Sequence, residues 1–516
     1  MGNFISDLLG FGQRLVTVNP QDTAGPETPS SDYLTMAPQW QMIAHILAGG
    51  EAVRRAGERY LPKYEKESAN EYKRRLKVAP WRPEFVDALR NLTSRPFTRP
   101  PVLSANSPPQ IALFADDVDG CGNALSIFAK QLFTGSVARG LGAILVDYPI
   151  TPNLIDGKPV TLADERKANR RPYWVYIKAE NILALSTEHE NGRERITHVR
   201  IRECSTKREG FREHDVERVR VMELDPSGKP VWQLWERTAK GPYEVIQSGE
   251  FSLPEIPLAL LFIGDREGGY RVKPPLIELA DMQMELYRSL SRQDEILTYA
   301  GSPMLVGKGM SAPDPTPRAG EASVSQMTIG PKTVLFAPAG MDGAQADWHY
   351  IAPDAATIAE VGKNPQAIVD DIRRLGMQPT QPRSGNMTAT GSAIDASKAH
   401  SAVQAWAVLL EDTLNQALKF TAQWLNVADL ATVSIHTDFV GDSGSTDEAK
   451  VLGAAQARQV ISKKTEREEL QRRGILGPQF DADAEDQQIA EETLGLDPEV
   501  QIDPVTGMPI NNRAAA

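Results

Sequence analysis

PPLIELADMQMELYRSLSRQDEILTYAGSPMLVGKG, residues Pro274 to Gly309, carries one helical stripe and then stops. Leu276, Leu279, Met282, Leu286, Leu290, Ile296 and Leu297 recur at the spacing of one helix face. Proline in the first turn suits helix entry, and Gly301 and Pro303 end the pattern. The spacing predicts a helix over Pro274 to Tyr299, spanning roughly 39 Å. Short strands follow at Met304–Gly307 and Lys332–Phe336, separated by the Pro-rich loop Ala312–Ala322.

Downstream, the 3.6-residue period continues. A helix is expected over Asp354–Leu375, with Pro365 kinking it. Gly376–Gly391 is rich in Gly, Pro, Thr, Ser and Gln and unsuited to regular structure. A very long helix, roughly 50 Å, comes next. Its start pairs Ser392 with Asp395 in the manner of a capping box, Asp replacing the usual Glu or Gln. Its stripe is Val403, Trp406, Leu410, Leu414, Ala417, Thr421 and Leu425. A strand at Thr432–Phe439, a charged helix at Asp447–Leu470 and a polar, disordered tail complete the chain.

Upstream, residues 20 to 35 read as a loop, followed by helices at Trp40–Leu61, Glu67–Val78, Glu84–Thr93 and 123–140. Leu141–Tyr148 is a short apolar strand. From Tyr173 to Ile263 the period becomes two: Val199 and Ile201 alternate with Arg200 and Arg202, Val219 and Val221 with Arg218 and Arg220. Asp225–Gly228 is a turn. This predicts an antiparallel meander with one wet face, and an α+β fold class for the whole.

At 516 residues the chain exceeds one ordinary domain, and 41% hydrophobic with 24% charged residues suits a packed fold. Cys121 and Cys204 form no CxxC or Cys/His pattern, which predicts neither a disulfide framework nor zinc and suits a reducing cytoplasm. No apolar run is long enough for a membrane span, and no signal peptide is expected. Met1–Ser6 matches the short myristoylation pattern, but no polybasic patch follows. Phe4–Phe11 reads better as an amphipathic segment that docks on a neighbour. The net charge of −12 argues against a protein that grips phosphates, though not against a conduit in which sticking would stop movement.

No catalytic motif emerges. Gly307-Lys308-Gly309 lacks the first glycine and the Ser/Thr of a phosphate loop. Gly135, Gly140 and Gly142 do not fit GxGxxG and suit a helix ending close to a strand. His45, His189, His198, His214, His349, His400 and His436 show no metal spacing. Asp116, Asp117 and Asp119 begin like a calcium loop, but Ile127 and Phe128 stand where its closing Glu belongs, so a solvated helix N-terminus is the better reading. Arg54-Arg55 and Lys73-Arg74-Arg75 read as solvated faces or inter-subunit ion pairs, and Trp232 and Trp235 as sheet packing. No cofactor or metal is expected, and no enzymatic activity.

From residue 257 onward the order of elements resembles the portal proteins of siphophage-type tailed phages. Pro274–Gly309 looks like their descending stem helix, with Asp281 and Asp294 at the family's acidic positions. MQPTQPRSGNMTATGSAIDASKAHSAVQAW (Met377–Trp406) looks like the tunnel loop and the helix behind it. Thr432–Leu476 resembles the following strand and crown helices. WRPEFVDALRNLTSRPF (Trp81–Phe97) and SVARGLGAILVDYP (Ser136–Pro149) resemble a phage subfamily catalogued as a domain of unknown function and regarded as portals.

The resemblance implies a wing at 1–273, a stem helix at 274–301, a small β-containing clip at 302–339, a second stem helix at 340–376, a tunnel loop at 377–391, a tunnel helix and wing strand at 392–444, a helical crown at 445–495 and a disordered tail at 496–516. It implies a dodecameric ring at one capsid vertex of the virion, assembled in the bacterial cytoplasm, through which double-stranded DNA is packaged and ejected. The implied partners are the terminase large subunit, a head-tail adaptor and the major capsid protein, with no membrane. Glu278, Asp281 and Glu285 of the stem helix, and Gln378, Thr380, Arg383, Ser384 and Asn386 of the loop, are the candidates for lining the tunnel. For the first three the competing reading is an ordinary solvated helix face; for the loop, an ordinary surface loop. Competing functions are another ring-forming capsid or connector protein, and an acid-dependent nuclease.

Overall fold

The computed structural model describes residues 25–149, 154–155, 158–159, 170–190, 192–238, 241–300, 304–308, 334–337, 347–351, 355–376, 389–427, 431–437, 439, 446–458, 460–472, 476 and 484–489. The segment Phe4–Phe11, the loop Ala312–Ala322 and the tail 496–516 lie outside them. Two compact units divide the chain, Met1–Thr437 and Asp438–Ala516. The fold is α+β.

At the centre of the first unit is a three-stranded antiparallel sheet. Its middle strand, β2 (Leu141–Asp147), lies between β5 (Tyr173–Lys178) and β11 (Leu258–Phe262). Every residue of β2 is buried, which is why it reads as an apolar run as far as Val146. Helix α6 (Leu125–Arg139) and the long α9 (Ala389–Leu425) cover one face. There Trp174 of β5 lies edge-on to Phe128 and donates its indole N–H to Thr421 at 2.8 Å. Close approach explains two glycines: a Cβ at Gly135 would collide with the Tyr176 hydroxyl, and one at Gly142 with Ser136 Oγ. Gly140 adopts the left-handed conformation that ends α6.

The other face, with Leu141, Ala143, Leu145 and Ile177, joins a core cluster with α1 (Ser31–Ala48) and a five-stranded meander. The meander comprises β6 (Ile182–Glu190), β7 (Arg193–Glu209), β8 (Arg212–Leu224), β9 (Pro230–Arg237) and β10 (Tyr243–Glu250), ordered β10-β9-β8-β7-β6. The stretch Tyr173–Ile263 is therefore not one meander, because its first and last strands leave it to flank β2. Alternation fixes which side chains share a face, not which strands pair. The single wet face also fails near the base. By register Val199, Ile201 and Met222 share one face and Val219 and Val221 the other, yet all five are buried. Trp232 and Trp235 pack against this core as expected.

Several boundaries move for local reasons. Helix α1 starts at Ser31, inside the expected loop, because Ser30 caps it by accepting from the Tyr33 amide. Gly49, at φ 92°, then breaks the expected Trp40–Leu61 helix, and α2 (Gly50–Arg55) follows. The fully buried Trp40 donates to the Arg139 carbonyl, satisfying a helix-end acceptor of α6. The helices α3 (Ala69–Val78) and α4 (Glu84–Ser94) appear where the periodicity put them, and a short α5 (Pro109–Ala115) follows. Small hairpins are formed by β3 (Leu154–Ile155) with β4 (Lys158–Pro159) and by β12 (Asp265–Gly268) with β13 (Arg271–Lys273).

Helix α7 (Ile277–Ala300) packs beside α8 (Ala355–Leu375) through Leu286, Leu290, Ile368, Val369 and Ile372. Helix α8 continues through Pro365. Between the two helices in sequence come β14 (Met304–Lys308), β15 (Val334–Ala337) and β16 (Asp347–Ile351). Strand β14 is central, parallel to β15 and antiparallel to β16, a third strand the sequence pattern did not reveal. Helix α9 begins at Ala389, so Ser392 lies inside it and not at the expected N-cap position.

The expected strand Thr432–Phe439 shrinks to β17 (Val433–Ser434), paired with β1 (Val102–Leu103). Side chains of α9 take over its backbone groups: Asn415 bonds both Val433 N–H and C=O, and Glu411 accepts from the Ile435 amide. In the second unit, the helix expected over Asp447–Leu470 is two, α10 (Thr446–Ala457) and α11 (Lys463–Arg472), the latter capped by Ser462.

Candidate functional site

Helix α7 buries a wide face containing Leu279, Ala280, Gln283, Met284, Leu286, Tyr287 and Leu290. From Glu278 to Arg292 its exposed residues, Glu278, Asp281, Glu285, Arg288 and Arg292, fall three or four apart and form one narrow charged stripe. The structure thus brings the first three candidates together. Gln378, Thr380, Arg383, Ser384 and Asn386 lie outside the described residues.

The stripe is less acidic in place than in sequence. Lys273 Nζ sits 2.6 Å from Glu278 and holds that carboxyl below the usual range. Asp281 and Glu285 border an open cleft of about 690 Å³ between α1 and α7, which also receives Arg59, Tyr60 and Arg288. Partial burial, then the nearby Glu278, pushes the Asp281 carboxyl up. Arg288 Nε donates to the Tyr60 carbonyl at 2.9 Å, so this cation is anchored to the body. Lys273, Arg59 and Arg288 therefore match the three carboxylates. Any repulsion of a polyanion is correspondingly weak and fades over about 10 Å in salt.

Further along α7, Glu295 lies 3.8 Å from Arg75, which is 4% exposed and pairs with Glu67 at 2.7 Å. The Tyr64 ring covers the same guanidinium at 4.2 Å. Burial pushes the Glu295 carboxyl up, while the hydrogen bond from Arg75 holds Glu67 down. Arg75 is thus a buried intramolecular anchor for α3, not part of a solvated basic cluster. A long chain feeding two carboxylates and an aromatic face can be buried, whatever its sequence neighbours.

One structural contact at this joint carries a signal in the sequence pattern itself. Gln283 stands on the apolar stripe between Leu279 and Leu286. It accepts from the Phe85 amide at 3.0 Å and donates to the Arg82 carbonyl at 2.7 Å. The N-cap of α4 is Pro83, which has no side-chain acceptor, so Gln283 performs the capping from α7. Arg373 of α8 completes the joint by pairing with Glu84 at 3.1 Å.

The Asp-rich loop is a bonded turn: Asp119 accepts from the Cys121 and Asn123 amides, and Asp117 pairs with Arg171. Among the described residues no group of three or more His, Cys, Asp or Glu is placed to hold a metal ion. No described helix is long and apolar enough to cross a membrane.

Residues 275–425, from the entry to α7 to the end of α9, match the family model described as a domain of unknown function (DUF4055). The segments Trp81–Phe97 and Ser136–Pro149 lie outside that match. No curated protein matches the sequence. Among solved structures, the chain is similar to one in the virion of a native gene transfer agent particle, with TM-score 0.40 and 10% identity over 75% of this chain and 89% of that one. A chain of the neck of the empty particle, computed with C6 symmetry, gives 0.39 and 10% over 78% and 91%. One from the neck of the native particle, computed with C12 symmetry, gives 0.36 and 11% over 75% and 89%.

Proposed function

We propose that this chain is the subunit of a tailed-phage portal: a twelve-membered ring at one capsid vertex through which double-stranded DNA enters and leaves the head. The observation that carries the reading is the helix pair α7 and α8, joined in sequence by the small sheet β15-β14-β16 and followed by the very long α9. This is the stem, clip and tunnel-helix order that the sequence resemblance implies. The first unit up to β13 serves as the wing, and α10 and α11 belong to the crown. The ring docks the terminase large subunit during packaging and the head-tail adaptor afterwards, against the major capsid protein. It acts as a structural conduit in the virion, not as an enzyme, and needs no cofactor. Glu278, Asp281 and Glu285, with the loop residues Gln378 to Asn386, are the groups proposed to stand nearest the DNA.

Assembly tests the reading directly. Native mass measurement and class averages of the purified full chain should show a closed ring, twelve-fold by expectation. Monomers or dimers at every accessible concentration would overturn it.

A further inference from the structure

The outer parts of β7 and β8 pair as strands only with each other. Strand β6 stops pairing at Ile201, and β9 stops at Arg218. Cys204–Glu209 and Arg212–Glu217 therefore run on as a two-stranded ribbon, which reverses at Gly210. At its tip Phe211 is 99% exposed, the most exposed large apolar residue among those described. An aromatic left wholly in water at the end of a polar ribbon gains nothing for its own subunit, whereas burial against a partner would hide 150–250 Å².

A fitting hole lies elsewhere on the same unit. Helices α4 and α6 and strand β5 enclose an open cleft of about 920 Å³. Ile127, Thr134 and the Tyr176 ring line it, and Ile127 is 48% exposed. Arg90, Lys130 and Lys178 stand exposed among the lining, which contains no carboxylate. On the ribbon, Glu213 and Asp215 share one face by their two-residue spacing, with Arg208 as that face's cation near the tip. The cationic cleft and the carboxylate-bearing ribbon face are complementary.

The cleft and the sheet that carries the knob lie on opposite faces of the central sheet. Ile177 and Val175 of β5 enter the core shared with the meander, whereas Trp174 and Tyr176 face α6 and the cleft. The central sheet thus separates the cleft from the sheet that carries the ribbon, and a subunit's own tip is on the wrong side to fill its own cleft. Such a head-to-tail contact repeats from copy to copy and closes only as a ring. Resting on the ring reading above, we propose that Phe211 of each subunit seats in the α4–α6–β5 cleft of the next copy of this chain, with Glu213 and Asp215 meeting Arg90, Lys130 and Lys178.

Cysteine cross-linking tests this in the full chain, with Cys121→Ser and Cys204→Ser removing the native thiols. The double variant Phe211→Cys, Ile127→Cys should give, on oxidation, a ladder of covalent multimers. An equimolar mixture of the two single variants should give covalent species that join the two kinds of subunit, and neither single variant alone should cross-link. Phe211→Ala, at a fully exposed site, should raise the concentration for half-assembly about tenfold or more. A ring that forms normally with Phe211→Ala and yields no ladder would overturn this contact and leave the ring reading intact. Self-linking of Phe211→Cys alone would overturn it in favour of tip-to-tip pairing. A wild-type chain that is monomeric at all concentrations would overturn the ring reading itself.

Discussion

The inner and outer halves of β7 and β8 share one register and one alternation of side chains, yet they are physically different objects. In the inner half Val199, Ile201, Val219, Val221 and Met222 are buried, with β6, β9, α1 and the central sheet around them. In the outer half, from Cys204 to Glu217, nearly every side chain is exposed or half-exposed. A third layer, not the strand pattern, makes the difference. A two-stranded ribbon alone is marginal in water, so the outer half depends on the inner half for its order.

The boundary between the halves is a charged joint. Arg220 reaches Asp147 of the central sheet at 3.0 Å and Glu203 of β7 at 2.6 Å. The Tyr173 hydroxyl also donates to Asp147, and burial, then the Asp147 charge, pushes that phenol up to about 12. Removing the cation leaves two partly buried carboxylates facing each other. Arg220→Ala should therefore cost about 3–5 kcal/mol and is the largest effect expected here. Chemical denaturation reads it; a loss under about 1 kcal/mol would mean that water already solvates the joint.

The two halves can be compared with one truncation in each. Ile201→Ala removes packing from a site with no exposure and should cost about 2–4 kcal/mol. Thr206→Ala, in the exposed outer half, should stay within about 0.5 kcal/mol. Equal costs would show that the ribbon is as tightly held as its base.

The same contrast explains what the sequence revealed. Helices such as α7 were legible because their stripes record burial on one side along many residues. The partition of strands was not, because β5 and β11 alternate or run apolar like their neighbours and nothing in that pattern names β2 as their partner. Ser30 read as loop although a serine before a helical stripe is a cap signal. At the candidate site, the stripe of Glu278, Asp281 and Glu285 was visible, but its neutralisation was not. Arg59 comes from a distant segment and Lys273 from the preceding strand. Gln283 was the readable exception, a polar residue on an apolar stripe that had to find backbone partners.

The opposite end of β7 provides the smallest effect. Glu194, near the first residue of that strand, pairs with Arg266 of β12 and accepts from Thr187 Oγ1 at 2.7 Å. Hydrogen bonding from Arg266 holds its carboxyl down to about 2, against roughly 4.3 for a free glutamate. Because the folded value is the lower one, the stabilisation is fully present above about pH 4.3 and is lost as pH falls toward about 2. Both side chains are about one-third exposed, so screening limits the pair to about 1 kcal/mol or less, well below the Arg220 joint. Glu194→Gln should lower the urea midpoint slightly at pH 7, and that deficit should narrow as the pH is taken from 5 to 3, because over that range the unfolded wild-type chain takes up the proton while the folded carboxyl stays largely ionised. A deficit that stays constant down to pH 3 would assign the loss to altered hydrogen bonding with Thr187, because the glutamine carries no charge to titrate at either end of that range.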